Sequence, residues 1–545
     1  MKRIFLSGLL MVAACFSFGQ KNLTLLSNYP FAPGITCAGA WHYNDTSAHR
    51  EYALVGTSLG LTIIDITKAD SVKWIYDVPD TIGEWREVKV FSHYAYVSNE
   101  GQHGHGGGGI LVIDLSNLPG TPVYKKYTGD GTIAGMLSSA HTVQVADSFL
   151  YINGTRKSTG QYFFNGGTVI CSLSDPWNPV YVGAYKNGYV HDCFVRGNTL
   201  ITSEIFANPG GFSIIDITNK SAPNPLSFHD TPFKFNHNTW MSDDSHFLYT
   251  TDELNLAPLA SYDISDLLDP SGPLDTYLTN KNKVGEVHNV RVLNDFLVNS
   301  CYGDSAHTGS QVTIVDAAHP DNLIEVGDYQ LCNPDTGFMI SWDVDPYAAS
   351  GNVIATEGLH GLFVLAPVYR RACYLEGLVT DSLTGFPINS AKVEILSTIA
   401  LDSTQFTGNY KTGLADAGTY TVVFSKSGYI TDTIKGVVLQ NGVLTTLNVK
   451  LWNGITGMKG NAASNLFRIY PNPIHEDATI VFNTPLLLDN LHLRLTDQLG
   501  RIVKEITDIH ESVVAFSREG IANGLYTLQL YNREAQVGEV MVVLQ

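Results

Sequence analysis

Basic side chains are scarce in this 545-residue chain, where 33 lysines and arginines face 52 aspartates and glutamates for a formal charge of −19. Such a surface repels phosphate backbones and anionic membranes, so nucleic acid is not an expected partner. Beyond the first twenty residues no apolar run is long enough to span a bilayer, which excludes a transmembrane helix. Cysteine is rare and widely spaced, with no Cys-x-x-Cys pair from which to build a zinc ribbon. His-Glu-x-x-His, Cys-x-x-Cys-His and EF-hand patterns are absent, and GGGG at 106–109 lacks the Lys and Ser/Thr of a phosphate loop. Charge is also low overall, at 16% of residues against 44% hydrophobic, so the chain can bury large cores and is unlike a disordered one.

What is abundant is glycine (50), tyrosine (27) and phenylalanine (24), set among runs of Val, Ile and Thr. These favour a turn-rich all-β protein, and the length calls for several domains. Lys2 and Arg3 followed by the apolar run Ile4 to Ala14 read as a signal peptide over 1–19, with Ser17 and Gly19 at the cleavage positions. Val12, Ala13 and Ala14 before Cys15 leave lipidation of that cysteine as the alternative. Cys37, Cys171, Cys193, Cys301, Cys332 and Cys373 remain after export, an even count compatible with up to three disulfides of undetermined pairing.

An apolar strand ending in Asp-Ile-Thr or a variant recurs: IIDIT at 63–67, VIDLS at 112–116, ICSLS at 170–174, IIDIT at 214–218, SYDIS at 261–265, IVDAA at 314–318 and FVLAP at 363–367. The seven copies are spaced by 49, 58, 44, 47, 53 and 49 residues, the length of a four-stranded blade with variable loops. The expected fold is all-β, a seven-bladed β-propeller over 20–370 followed by two small β-sandwich domains. The seventh unit lacks an outer strand, and the aromatic-ended segment 22–29 is expected to complete it and close the ring.

The segments SSAHTVQV at 138–145, YVHDCFV at 189–195, HNTWMSDD at 237–244, VHNVRV at 287–292 and SGNVIATEGLHGLFVL at 350–365 resemble the choice-of-anchor B family of LVIVD-repeat propellers. The resemblance runs over about 22–368 and implies an exported propeller carried on different surface anchors. It implies no reaction and supplies no catalytic residue. Residues 373–452, with EGLVTDSLTGFPINSAKVEIL and GTYTVVFSKSGYITDTI, resemble the carboxypeptidase regulatory-like β-sandwich, and a polar linker spans 453–465. Residues 466–545 carry FRIYPNPIHEDATIVF, LRLTDQLGRIV and GLYTLQLYN and are similar to the type IX secretion C-terminal sorting domain, type A. That resemblance implies the type IX machinery as partner, a Bacteroidota-like source, and release or attachment to surface lipopolysaccharide.

Aligning the first strands of the repeats puts His141, His191, His237 and His288 at one position, followed by Thr142, Asp192, Asn238 and Asn289. Second strands end in Glu100, Glu204, Asp252 with Glu253, and Glu357, and the topology brings all of these to one face. Loop histidines His103, His105 and His360 lie on that face too. Imidazole and carboxylate together suit a divalent metal, which beside a Glu or Asp would make a metal-dependent hydrolase. The competing expectation is a binding or display surface for an extracellular glycan, protein or small molecule, with the histidines packed against the next blade. Alternation in His141-Thr-Val143 points the ring at that blade. One zinc ion holds nitrogen at about 2 Å, so histidine nitrogens more than about 5 Å apart cannot share it. Trp41, Trp85, Trp240 and Trp342 also fall on first strands, as core packing or as a sugar-stacking platform.

Overall fold

The repeated aspartate is a corner piece. Its carboxylate accepts the backbone N–H two residues on, as in Asp65 to Thr67 (2.9 Å), Asp114 to Ser116 (2.9 Å), Asp216 to Thr218 (2.8 Å) and Asp263 to Ser265 (2.8 Å). This Asx turn stops one strand and starts the next. The apolar residue between them, Ile66, Leu115, Ile217 or Ile264, is buried, and its own N–H bonds a carbonyl at the preceding hairpin. One tripeptide thus fixes a turn, a core contact and a backbone bond, which is why it survives in nearly every repeat.

The computed structural model describes residues 20–545 apart from 102–105, 208, 280–285, 304–308, 333–339, 453–465, 483–490 and 533–534. The expected leader at 1–19, the linker 453–465, and His103 and His105 lie outside the described residues. Contacts divide the rest into two units, the first running to Tyr374 with two short later segments.

In the first unit seven four-stranded antiparallel sheets follow one another, the blades of a propeller. Their inner strands are Cys37–Asp45, Val88–Phe91, Val143–Ala146, Asp192–Arg196, Asn236–Met241, Val287–Leu293 and Ser341–Asp345. Each adjoins the next, and the last adjoins the first. The seventh sheet takes its fourth strand from the start of the chain, Leu23–Tyr29, antiparallel to Gly361–Pro367 with Leu23 opposite Pro367. The seam is also fastened by side chains: His42 of blade 1 places both its backbone N–H and its Nδ1 at 2.7 Å from Asp345 Oδ2 of blade 7. Between blades the core repeats a fully buried tyrosine, Tyr52, Tyr96, Tyr151 and Tyr249, on the second strands.

The six cysteines are free and buried, so no disulfide forms among the described residues. The five propeller sulfurs sit apart, each beside a polar neighbour, such as Glu357 O for Cys37 (3.0 Å), Asn153 Nδ2 for Cys193 (3.2 Å) and Ser310 Oγ for Cys332 (3.1 Å). They act as small core residues rather than as staples.

The second unit holds two pairs of sheets. In one pair, Asn409–Leu414, Cys373–Asp381 and Leu444–Thr446 lie opposite a sheet of Leu401–Ser403, Lys392–Ile395, Gly418–Ser425 and Asp432–Leu439. In the other, Phe467–Tyr470, Asp477–Phe482 and Val513–Ser517 accompany Ile502–Ile509, Leu491–Thr496, Gly524–Asn532 and Ala535–Leu544. Phe467, Phe482, Leu493, Phe516 and Leu530 form the core of this second sandwich. Among the described residues no helix is long and apolar enough to cross a membrane.

Candidate metal centre

His141, His191, His237 and His288 stand at the entrance of the inner strands of blades 3 to 6, all buried. Their rings follow one another in an arc, with centroids 4.0, 4.2 and 4.1 Å apart. Strand alternation does aim them at the neighbouring blade. His191 Nδ1 lies 3.2 Å from His237 O, His237 Nδ1 3.1 Å from His288 O, and His288 Nδ1 2.7 Å from Trp342 O. A carbonyl only accepts, so the ring proton resides on Nδ1 and Nε2 is left as a bare lone pair. His141 departs from the series and pairs Nδ1 with Glu100 Oε2 at 2.9 Å.

Two of the bare nitrogens meet Glu253. Its Oε2 is 3.7 Å from His237 Nε2 and its Oε1 is 3.6 Å from His288 Nε2, while Tyr302 donates its hydroxyl to Oε1 at 3.2 Å. Such separations are too long for hydrogen bonds and near the roughly 3.4 Å between two ligands of one tetrahedral ion. One ligand atom from each of His191, His237 and Glu253 lies within 4.8 Å of the others. His141 and His288 are not in that trio, so a single ion does not take all four rings. His288 Nε2 is nonetheless buried with no hydrogen-bond partner.

Electrostatics separates the arc into two parts. Burial, then the neighbouring imidazoles, hold His191 and His237 well below the ordinary histidine range, and burial pushes His288 down to about 3. These three imidazoles are held neutral. Burial also opposes charge on His141, but Glu100 outweighs it and the net shift is upward. Burial raises the Glu253 carboxyl against the pull of His141 and Tyr302. Burial and then Glu253 push Glu286 up to about 7.

The residues that follow the histidines turn to the opposite face of the strand. Asp192 accepts from Asn238 Nδ2, Asn238 Oδ1 accepts from Val290 N (3.0 Å), and Asn289 Nδ2 donates to Asp343 Oδ1 (3.2 Å). They belong to a charged network in the channel around Arg291 and Asp343, not to the imidazole cluster. Glu204 accepts from Thr202 Oγ1 and Ser213 Oγ, both at 2.7 Å, inside its own blade. Asp252 accepts from Thr231 Oγ1 and from the N–H groups of Phe233 (2.8 Å) and Phe235 (3.2 Å), tying down a loop. Glu357 and His360 are brought together, Nδ1 to Oε2 at 2.6 Å, and with Cys332 form a second group within 4.8 Å. That carboxylate also takes the backbone N–H groups of Ile340, Leu359 and His360.

The tryptophans pack. Trp342 stacks on Trp85 at 4.6 Å and donates Nε1 to Glu87, and Trp240 covers the Arg291 guanidinium at 4.7 Å. Tyr302 and Glu286 were not singled out from the sequence, and Cys332 only as a disulfide candidate. Tyr302 follows its second strand as Glu253 follows the one before, so aligning strand ends would have found it. Gly56-Thr57-Ser58-Leu59-Gly60 does read Gly-x-Ser-x-Gly, but Ser58 lies in the tight turn between Arg50–Thr57 and Gly60–Asp65. A nucleophile elbow needs a helix after the strand, and none follows.

Three family models match the chain: the LVIVD repeat at 205–231, the carboxypeptidase regulatory-like domain at 374–451 and the secretion system C-terminal sorting domain at 468–544. It is a Bacteroidota-type chain that carries an LVIVD-repeat region, a carboxypeptidase regulatory-like sandwich and a type IX sorting domain. The sorting domain makes it a secreted, surface-associated multidomain β-protein whose partner on the way out is the secretion machinery. No curated protein matches it. Among solved structures, a Bacteroides fragilis protein described as a 6-phosphogluconolactonase is 11% identical, with 59% of this chain and 86% of that chain covered and a TM-score of 0.40. A Bacteroides uniformis protein of the same description is 9% identical over 75% of this chain and 94% of that one, also at 0.40. A chain of a type II cohesin–X-dockerin complex from Acetivibrio cellulolyticus is 22% identical over 16% of this chain and 63% of that one, at 0.15.

Proposed function

We propose that this exported propeller is a metal-dependent hydrolase whose divalent cation is held by His191, His237 and Glu253. The observation that carries the reading is that one ligand atom each from His191, His237 and Glu253 lies within 4.8 Å of the others, the bare His237 Nε2 standing 3.7 Å from the carboxylate. Each imidazole has its other nitrogen tied to a backbone carbonyl, the outer-shell bond that orients metal-binding histidines. A display surface needs no such convergence, which is why the hydrolase is preferred to a passive binding module. Bound there, a divalent cation would supply a Lewis acid for an ester or phosphoester oxygen and acidify water. Glu253 is oriented by the Tyr302 hydroxyl and offers its other oxygen to the site. Glu100, at the His141 end, is the carboxylate placed to exchange a proton with water or a leaving group. The sorting domain supports lipopolysaccharide attachment as the surface form in which this chemistry is displayed.

Elemental analysis of the full chain, beside Glu253→Gln and the double variant His191→Ala/His237→Ala, tests the reading. About one equivalent of zinc or a similar ion in the wild type, absent from both variants together with hydrolysis of nitrophenyl esters and phosphoesters, is the expected result. Wild-type protein that stays metal-free after incubation with zinc and manganese overturns it.

A further inference from the structure

Outward from His191 the face of the propeller carries a wall of aromatic rings. Tyr189 stands 6.3 Å from the His191 ring, and Tyr162 and Phe206 flank it at 5.2 and 4.9 Å. Phe206 is 61% exposed and Tyr162 37%, an unusual placement for rings that already pack on one another. The wall is built rigidly. A Cβ at Gly154 would lie 2.6 Å from His141 Cβ and 3.1 Å from the Tyr189 hydroxyl, and one at Gly166 would lie 2.7 Å from Tyr189 and 2.9 Å from Tyr162. Both glycines sit at positive φ, so the loop meets the histidine arc and the rings with no room for a side chain.

The same loop carries two positive charges, Arg156 and Lys157, in a chain of −19. The Arg156 guanidinium lies 4.0 Å over the Tyr162 ring and donates to its hydroxyl (2.9 Å) and to Gly160 O (3.2 Å), while its Nε–H is buried without a partner. Lys186 stands 4.2 Å over Phe164 and Lys157 5.9 Å over Phe163. The acid on this side of the arc, Glu100, is already paired with His141.

We propose that this wall is the substrate subsite, and that the substrate is a monoester of an aromatic or sugar ring bearing a tetrahedral oxyanion, phosphate or sulfate. The exposed Tyr162 and Phe206 rings, with half-buried Tyr189 between them, stack the ring, and Arg156, lying over Tyr162, neutralises the anion. The inference rests on the hydrolase reading but is tested apart from it. Calorimetric titration of the full chain uses phenylphosphonate, a non-hydrolysable probe, with phenol and inorganic phosphate as its two halves. Phenylphosphonate should bind at least about tenfold more tightly than either half. Arg156→Gln should weaken phenylphosphonate and phosphate by about tenfold and leave phenol unchanged. Phe206→Ala, at an exposed position, should weaken phenylphosphonate and phenol but not phosphate. Metal content is measured on the same samples. Phenylphosphonate binding to metal-free protein would keep the subsite and sink the hydrolase. A metal-loaded enzyme that hydrolyses neutral esters and ignores Arg156→Gln and Phe206→Ala would overturn the subsite and keep the hydrolase.

Discussion

Replacing Arg291 by methionine should remove a large part of the stability of the propeller. Arg291 and Asp343 are 1% and 0% exposed and paired Nη2 to Oδ1 at 2.7 Å. The guanidinium also donates to Val290 O (3.0 Å) and Asn238 Oδ1 (3.3 Å) and lies against Trp240. Methionine keeps the apolar stem and deletes the charge. Asp343 is then left, fully buried, with the N–H groups of Val344 (3.0 Å) and Ala40 (3.4 Å) and with Asn289 Nδ2 (3.2 Å). Breaking a buried pair from one side costs about 3–5 kcal/mol, against a net stability of about 5–15 kcal/mol for a domain. The double variant Arg291→Met/Asp343→Leu removes both charges and strands only amide groups, at about 1–3 kcal/mol. The two sites should therefore couple by about 2 kcal/mol or more. Urea unfolding followed by tryptophan emission is the assay, since all tryptophans but Trp452 lie in this unit. Burial already holds the Asp343 carboxyl above its usual range against the pull of Arg291. Without Arg291 it rises further, so the penalty should shrink as pH falls through that value. A single variant within about 1 kcal/mol of wild type, or a double variant equal to the sum of the singles, would refute the reasoning.

His42 is half-buried, and this desolvation opposes its charge, yet Asp345 raises it above the ordinary histidine value. The stabilisation of this blade 1 to blade 7 fastening is fully present below about pH 6.5 and is lost as pH rises through the folded value. The stability gap between wild type and His42→Gln should therefore be widest near pH 6 and narrow above it; a gap that widens with pH contradicts the pairing. Removing residues 467–545 takes away the sorting domain without touching the first unit. Cell fractionation should find that shortened chain folded and retained inside the outer membrane, and its normal appearance at the surface would mean the tail is not the export signal.

The architecture was legible because its corners are chemical. An Asp whose carboxylate caps a turn, beside an apolar residue that fills the core, leaves a mark every fifty residues that strand patterns alone would blur. The shared histidine register was legible for the same reason. What could not be read was which atoms face which. Asp192, Asn238 and Asn289 sit one residue past the histidines, and the alternation that aims the rings at the next blade sends these into the channel. Glu204 and Asp252 end their strands and Glu253 directly follows Asp252, yet the oxygens of the first two are taken by local hydroxyls and N–H groups. Only the side-chain hydrogen bonds separate a carboxylate that holds a loop from one that faces an imidazole.

The packed histidine and the ligand histidine are one geometry here. A buried neutral imidazole must place its single N–H, and the repeat offers the carbonyl of the next blade. Satisfying that proton leaves the other nitrogen an acceptor, blade after blade, and Glu253 adds two more acceptors. Against these, Tyr302 contributes one donor. A cluster so poor in donors is relieved by a proton or a cation, in keeping with the raised Glu253 carboxyl. Glu253→Gln would supply an amide N–H₂ in the same place. The metal-free variant should thus be more stable than metal-free wild type, by about 0.5–1.5 kcal/mol for each hydrogen bond made. Zinc at a hundredfold its dissociation constant stabilises the form that binds it by about 2.7 kcal/mol. Wild type should then overtake the variant, so that the order of their thermal midpoints reverses on adding metal. Unchanged order with and without zinc would make the arc a packing device alone.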